Sequence, residues 1–254
     1  IYMCVIAYYP KDTPLNMNEL EQCFLHNPDG AGFMFYDAHK QLVCIHKGIM
    51  NWADMKKAIV DLPEDVNRVF HFRIATSGKV SPGCCHPFPV SGSYEEMRRP
   101  ISFAEYGFAH NGVMYEFAPK EGKLADYSDT MNFGRTILYH LMQSNIDLHD
   151  DTVGALMEGF ISPDRLAIMS KDKVTLLGKW VQSLDSTAMY SNDSFKVRTY
   201  YKSCLSYYGA GDYGTPTKTS TVKDVAIREG YGSKGVIQHL AKGASMSDDD
   251  FDMG

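Results

Sequence analysis

The fold is decided first by the stretch IYMCVIAYY at residues 1–9, which is apolar almost throughout. A short run of this kind, rich in β-branched and aromatic residues, is typical of a strand that is buried on both faces. It lacks the basic leader of a secretory signal peptide. The sequence therefore predicts that Cys4 lies in a buried strand.

Further apolar patterns follow this strand as far as residue 200. Helical spacing predicts helices at residues 15–25, 51–62, 128–141 and 151–161, with Asn51 and Ser128 as N-cap candidates. Strands are predicted at residues 31–36, 42–46, 67–75, 103–110, 166–169, 174–177 and 196–200. The Gly-, Pro- and Ser-rich residues 77–93 predict a long loop. Together these patterns predict one mixed α/β domain over residues 1–202.

The composition changes after that domain. Residues 207–214 are rich in Gly and Tyr, residues 215–221 are rich in Thr, and an acidic tail follows at residues 248–252. Two short helical patterns lie between them, at residues 222–228 and 236–242. We expect residues 203–254 to form a partly disordered appendage.

Charge and composition exclude several classes of partner. The 254 residues include 25 basic and 31 acidic side chains, and without the four Asp of residues 248–252 the formal charge of −6 becomes −2. This near-neutral body predicts no nucleic-acid surface. No apolar run approaches the ~18 residues of a membrane-spanning helix, so we expect no membrane partner.

The cysteine pattern predicts a cytoplasmic protein with reduced thiols. The six cysteines are scattered and form no C-x-x-C pair. Cys84-Cys85-His86 is followed by no second ligand pair, so the sequence predicts no metal site. It contains no glycine-rich phosphate loop with a Lys-Ser/Thr ending, which argues against a nucleotide cofactor.

Four short motifs contain the candidate chemistry, and each has a plain alternative. A thiol lies in Met3-Cys4, a cation in the segment 71–76, an amide pair in Asn111-Gly112 and a carboxylate in Ser128-Asp129. Taken singly, these are typical of a packed cysteine, a surface ion pair, a hairpin turn and a helix-capping acid. Taken in order, they are the groups needed to hold a free amino acid at both ends and attack its side-chain amide.

Together with Asn27-Pro28-Asp29-Gly30-Ala31-Gly32 and His86-Pro87-Phe88, these motifs resemble the glutaminase domain of class II glutamine amidotransferases. This family belongs to the N-terminal-nucleophile (Ntn) hydrolases, and the resemblance spans residues 4–180. It implies an α+β fold, namely a four-layer αββα sandwich of two stacked antiparallel sheets, with residues 203–254 as a short appendage. It also implies hydrolysis of the glutamine side-chain amide to glutamate and ammonia, without a cofactor or metal.

The resemblance assigns three catalytic residues. Cys4 would be the nucleophile, and its free α-amino group would accept and return the thiol proton. Asn111 would donate a side-chain N–H and Gly112 a backbone N–H to the oxyanion. In the printed sequence Cys4 follows residues 1–3 and has an amide nitrogen in place of an amine, so we expect activity only after residues 1–3 are removed.

The resemblance also assigns the groups that bind the substrate. Arg73 would bind the α-carboxylate, with Thr76 adding a hydroxyl donor, and Asp129 would bind the α-ammonium. His86 would line the pocket without acting as a base.

The partners follow from the same resemblance, and two alternatives stay open. We expect glutamine or a related small amide as substrate, and a separate protein as ammonia acceptor, because roughly fifty residues after the domain are too few for an acceptor with its own core. One alternative is hydrolysis of another γ-glutamyl amide. The other is a catalytically silent binding or assembly protein on the same fold.

Overall fold

The computed structural model describes residues 4–75, 80–120 and 125–196, which form an α+β structure with two antiparallel sheets. The strands are β1 (Val5–Tyr9), β2 (Ala31–Asp37), β3 (Leu42–Ile49), β4 (Arg68–Phe72), β5 (Phe88–Pro89), β6 (Ile101–Ala104), β7 (Gly107–Asn111), β8 (Arg165–Met169), β9 (Val174–Leu177), β10 (Val181–Gln182) and β11 (Met189–Tyr190). The helices are α1 (Met17–His26), α2 (Trp52–Ile59), α3 (Tyr94–Arg98), α4 (Asp129–Phe133), α5 (Tyr139–Gln143) and α6 (Asp151–Ile161). A π-helical turn at Gly134–Leu138 joins α4 to α5, and 3-10 turns lie at Pro82–Cys84 and Tyr115–Phe117.

The larger sheet has seven strands in the order β10-β11-β1-β4-β2-β3-β6, and the smaller has four in the order β5-β7-β8-β9. Strand β1 lies between β11 and β4, and its register with β4 pairs Val5 with Phe72. The end of β4 therefore lies beside the start of β1, which brings Cys4 and Arg73 to the same end of the sheet.

Strand β1 is apolar at every position because both of its faces are covered. Val5, Ala7 and Tyr9 belong to a cluster that packs the larger sheet against α1 and α2. Ile6, on the opposite face, belongs to a second cluster that joins the larger sheet to the smaller one through residues such as Ala109. This arrangement explains why the sequence of β1 lacks the alternation of a half-exposed strand.

A third apolar cluster covers the other face of the smaller sheet. Phe108 and Ile168 from this sheet pack there against Met131 and Phe133 of α4 and Met157 of α6. Fully burying a side chain of this size stabilises a fold by roughly 1.5–3 kcal/mol. The cluster therefore holds α4, which begins with Asp129, firmly against the strand that ends with Asn111.

Several sequence predictions are confirmed and others are wrong in detail. Asn51 and Ser128 are N-caps, and their side chains accept hydrogen bonds from Asp54 N and Met131 N. The predicted strand at 103–110 is wrong as a single element, because the chain bends at Glu105-Tyr106 and enters a different sheet. The helix predicted at 128–141 is interrupted by the π-helical turn.

The predicted loop at 77–93 also needs correction where it is described, since it contains the first 3-10 turn and the short strand β5. Most of the strand predicted at 196–200, and the whole of the appendage at 203–254, lie outside the described residues. None of the described helices has the length and apolar character needed to cross a membrane.

Candidate active site

The Cys4 side chain is fixed immediately before β1 by the peptide groups of Ile74. Its thiol donates to Ile74 O at 3.3 Å, and Ile74 N donates to Cys4 Sγ at 3.4 Å. The main-chain oxygen of Cys4 accepts a 2.7 Å hydrogen bond from Asn192 Nδ2. The sulfur is therefore held next to the segment that follows β4.

That segment begins with Arg73 and is fixed by the turn before β2. Arg73 N donates to Gly30 O at 2.8 Å, and Arg73 O accepts from Asp29 N at 3.0 Å. Asp29 Oδ2 also accepts from Ala75 N at 2.9 Å. The Asp29-Gly30 turn thus fixes the main chain of Arg73. The Arg73 side chain is buried, since the residue is only 4% exposed.

A small cavity adjoins the Cys4 sulfur and unites groups from distant parts of the chain. Its lining comprises Cys4, Arg73, Ile74, Cys84, His86, His110, Gly112, Ser128, Asp129 and Thr130. Five of the residues predicted for the site therefore share one cavity. Asn111 lies directly beside this lining in sequence, and Thr76 is outside the described residues.

A larger open cleft of about 510 Å³ lies elsewhere and includes Val90, Phe103 and Met142 in its lining. None of the residues predicted for the site contributes to it. The small cavity is the better candidate, because it combines a thiol with a buried cation and a buried carboxylate.

Burial dominates the acidity of the nucleophile candidate. Burial raises the pKa of the Cys4 thiol, the hydrogen bond from Ile74 and the charge of Arg73 lower it, and the charge of Asp129 raises it. The net effect is a pKa above that of an ordinary cysteine. Because the thiolate is the reactive form, attack by this sulfur requires a base that removes its proton.

His71 and His86 are held neutral by burial. Burial lowers the pKa of His71 to about 3 and that of His86 well below its ordinary value. Their ring centroids are 4.2 Å apart, and His86 Nδ1 accepts from the main-chain N–H of His110 at 3.3 Å. His86 therefore fills the wall of the cavity as an uncharged ring, and Nδ1 is occupied by a structural hydrogen bond.

The corner at Asn111-Gly112 ends β7 beside the cavity. Asn111 Nδ2 donates to Ser191 Oγ at 2.8 Å, and the same oxygen accepts from Ile6 N at 2.8 Å. Ser191 thereby ties the Asn111 amide to β1. A carboxamide nitrogen carries two hydrogens, so this bond uses one and leaves a second N–H for another acceptor.

Gly112 is required at the corner for two independent reasons. Its φ of +154° lies in a region that side chains other than glycine rarely adopt. A Cβ at this position would also lie 1.8 Å from Asp164 Cγ. The chain can make this turn only with glycine.

The Asp129 carboxylate is held by backbone N–H groups on both of its oxygens. Oδ2 accepts from Met114 N at 2.7 Å, and Oδ1 accepts from Thr130 N at 2.8 Å. Asp129 is 4% exposed and opens α4 immediately after the Ser128 N-cap. Oδ1 also accepts from Thr130 Oγ1 at 3.5 Å. Oδ2, which accepts from Met114 N, can accept a further hydrogen bond, so the carboxylate remains able to bind a cation in the cavity.

Sequence reasoning missed three residues that support this site. Ser191 and Asn192 follow the two-residue strand β11, and Asp164 lies in the turn before β8. No local pattern distinguishes them from ordinary loop residues. Asp29, by contrast, lies within a segment that the sequence analysis singled out, although its hydrogen bonds could not be foreseen.

Comparisons with known proteins give only a distant likeness. No family model matches the chain, and no curated protein matches it. Among solved structures the chain is similar to glutamine phosphoribosylpyrophosphate (PRPP) amidotransferase from B. subtilis, complexed with ADP and GMP. The TM-score is 0.46 and the sequence identity 15%, over 74% of this chain and 41% of that chain. A likeness of this strength assigns no activity, so the function is inferred from the chemistry of the site.

Proposed function

We propose that this protein is a glutaminase domain of the class II amidotransferase type, which hydrolyses the side-chain amide of glutamine to glutamate and ammonia. One observation supports the proposal above the others: Cys4, Arg73, Gly112 and Asp129, separated along the chain, line a single small cavity. We also propose that the layers follow the order helix, sheet, sheet, helix, since apolar clusters cover both faces of each sheet.

Substrate binding uses two opposite charges. The Arg73 guanidinium binds the α-carboxylate of the amino acid through paired N–H groups, which suit the planar carboxylate. Asp129 binds the α-ammonium, and Thr76 adds a hydroxyl donor to the carboxylate. Because both ends of the amino acid are held, the side-chain amide is presented to the sulfur in one orientation.

The chemical step uses Cys4 with a free α-amino group. That amine removes the thiol proton, and the sulfur attacks the carboxamide carbon while the C=O electron pair moves to the oxygen. The Gly112 N–H and the second N–H of Asn111 donate to this oxyanion, and each donor is worth about 3 kcal/mol. The C–N bond then breaks, the amine returns its proton to the leaving nitrogen, and ammonia departs.

Water completes the cycle. It attacks the thioester carbon, the same amine removes its proton, and the C–S bond breaks to release glutamate and the Cys4 thiol.

The test is glutamate release from glutamine by protein that begins at Cys4. We expect turnover that is abolished in Cys4→Ala and retained in Cys44→Ala, a matched control for a half-buried cysteine of the larger sheet. Protein that retains residues 1–3 should be inactive, because an amide nitrogen cannot serve as the base. Glutamate release no greater than that of Cys4→Ala would refute the proposal.

The same assay separates the alternatives. Arg73→Ala and Asp129→Asn should each abolish glutamine hydrolysis by loss of binding to one end of the amino acid. Activity on a γ-glutamyl conjugate that survives both substitutions would identify a different amide as substrate. Inactivity on every amide would favour the silent binding protein.

A further inference from the structure

Asp164 contacts the Asn111-Gly112 corner from outside the cavity. It lies in the turn between α6 and β8, and its side chain is 13% exposed. It is absent from the cavity lining. The proposed glutaminase mechanism gives Asp164 no role, although its carboxylate contacts the residues of the corner directly.

One oxygen of Asp164 serves two residues that flank the corner. Oδ2 accepts a 2.9 Å hydrogen bond from Val113 N. The same oxygen lies 3.2 Å from His110 Nε2, although the geometry is not that of a hydrogen bond. The carboxyl group also occupies the space that a Cβ on Gly112 would need. The carboxyl group of Asp164 is therefore in close contact with His110, Gly112 and Val113.

The His110 ring extends this support towards the substrate-binding carboxylate. Its Nδ1 is 3.2 Å from Thr130 Oγ1, and Thr130 N donates to Asp129 Oδ1 at 2.8 Å. His110 is 1% exposed, so its position is set by these neighbours and by packing. Asp164, His110 and Thr130 therefore form a buried connection between the oxyanion corner and α4.

We propose that Asp164 is a positioning residue for the oxyanion donor at Gly112. Its carboxylate fixes the Gly112-Val113 peptide, which adjoins the Asn111-Gly112 peptide that carries the Gly112 N–H. By limiting rotation at Gly112 it directs that N–H towards the oxygen of the reacting amide. This inference rests on the proposed glutaminase function. Because a preorganised donor acts on charge that develops only in the transition state, loss of the positioning contact lowers kcat and leaves KM nearly unchanged.

The test compares Asp164→Ala with Asp164→Asn in protein that begins at Cys4. Alanine removes the acceptor for Val113 N, and we expect kcat to fall roughly 10- to 100-fold with KM within about threefold. Asparagine keeps an acceptor oxygen in the same place, and we expect kcat within about fivefold of the parent. Asp172→Ala, which alters an exposed turn, is the matched control and should change neither parameter.

Amide hydrogen exchange at Val113 supplies a readout that does not depend on turnover. Protection of this N–H should be lost in Asp164→Ala and kept in Asp164→Asn. If the alanine variant does not fold, Asp164→Leu replaces it, since leucine fills similar space without an acceptor. Parental kcat in the variant without an acceptor, a rise in KM alone, or no recovery with asparagine would each overturn the inference.

Glutamate release and amide exchange at Val113 distinguish failure of the proposed function from failure of this inference. If parent protein that begins at Cys4 releases no glutamate, the glutaminase proposal fails, and the positioning of a donor for catalysis fails with it. Exchange at Val113 then decides separately whether Asp164 holds the corner as a structural contact.

Discussion

Buried Lys47 should make the free energy of unfolding of this protein rise with pH above pH 7. The side chain is 1% exposed, and its Nζ donates to Gly83 O at 3.0 Å and to Met97 O. It also lies 4.0 Å from the centroid of the Phe88 ring. Burial lowers the pKa of Lys47 from 10.5 to about 7, although the nearby Cys85 raises it.

The size of this pH dependence follows from the lowered pKa of Lys47. One pKa unit corresponds to about 1.4 kcal/mol, so charged Lys47 disfavours the folded state by up to about 5 kcal/mol. Between pH 7 and pH 10.5 the unfolded chain keeps the proton that the folded chain has lost. The free energy of unfolding therefore rises with pH in this window, by up to about 1.4 kcal/mol per unit, and the full penalty remains below pH 7.

Urea unfolding of the parent and of Lys47→Met at pH 6.5, 7.5 and 8.5 measures the contribution of Lys47 to the pH dependence of stability. Methionine leaves two carbonyl groups without their donor, a cost that does not vary with pH, so the slope is the informative quantity. From pH 6.5 to pH 8.5 the parent should gain about 2 kcal/mol relative to Lys47→Met. The range stops there because burial raises the pKa of Cys85 from 9.0 to about 11, which gives an opposite slope at higher pH.

Lys40→Met is the matched control, because the Lys40 side chain is 54% exposed and also lies over a phenyl ring. Its curve should run parallel to that of the parent. Parallel curves for the parent and Lys47→Met would refute the reasoning, since they would mean that Lys47 keeps its proton in the folded state.

Two further predictions concern the Asn111-Gly112 corner and the candidate nucleophile Cys4. Gly112→Ala should lower the free energy of unfolding by roughly 2–4 kcal/mol, from backbone strain and a collision with a neighbouring carboxyl group, as measured by urea unfolding. Gly159→Ala, with open space around its Cβ, should be neutral or stabilising, and equal losses in both would contradict this explanation. Alkylation of Cys4 by iodoacetamide at pH 8 should be slower in Arg73→Ala and faster in Asp129→Asn, because the first substitution raises the thiol pKa and the second lowers it. A change in the same direction for both would show that access to the sulfur, and not charge, controls the rate.

The sequence predicts the parts of the fold in which local pattern and packing agree. Strand β1 could be foreseen because both of its faces are buried, and the Asn51 and Ser128 caps because their side chains bond within three residues. The strands β10 and β11 could not, since two residues carry no periodicity. The pairing of β11 with β1, and of β10 with β11, is determined by tertiary contact alone.

The candidate site shows the same division between local and distant contacts. The order of the reactive residue types along the chain identifies Cys4 and Arg73 as candidate site residues. The register of β1 with β4, which places them side by side, is visible only in three dimensions. Asp164 and Ser191 could not be nominated, because serine and aspartate are ordinary turn residues. Their importance comes from partners 51 and 80 positions away, Val113 and Asn111.

The hydrogen bond from Asn192 to the Cys4 carbonyl joins residues 188 positions apart. A ribosome makes Cys4 first and Asn192 roughly 10–40 s later, at ordinary rates of elongation. Throughout that interval the sulfur has no completed site around it. A nascent chain that ends before residue 192 would therefore present the Cys4 thiol without the hydrogen bond that later anchors its main chain.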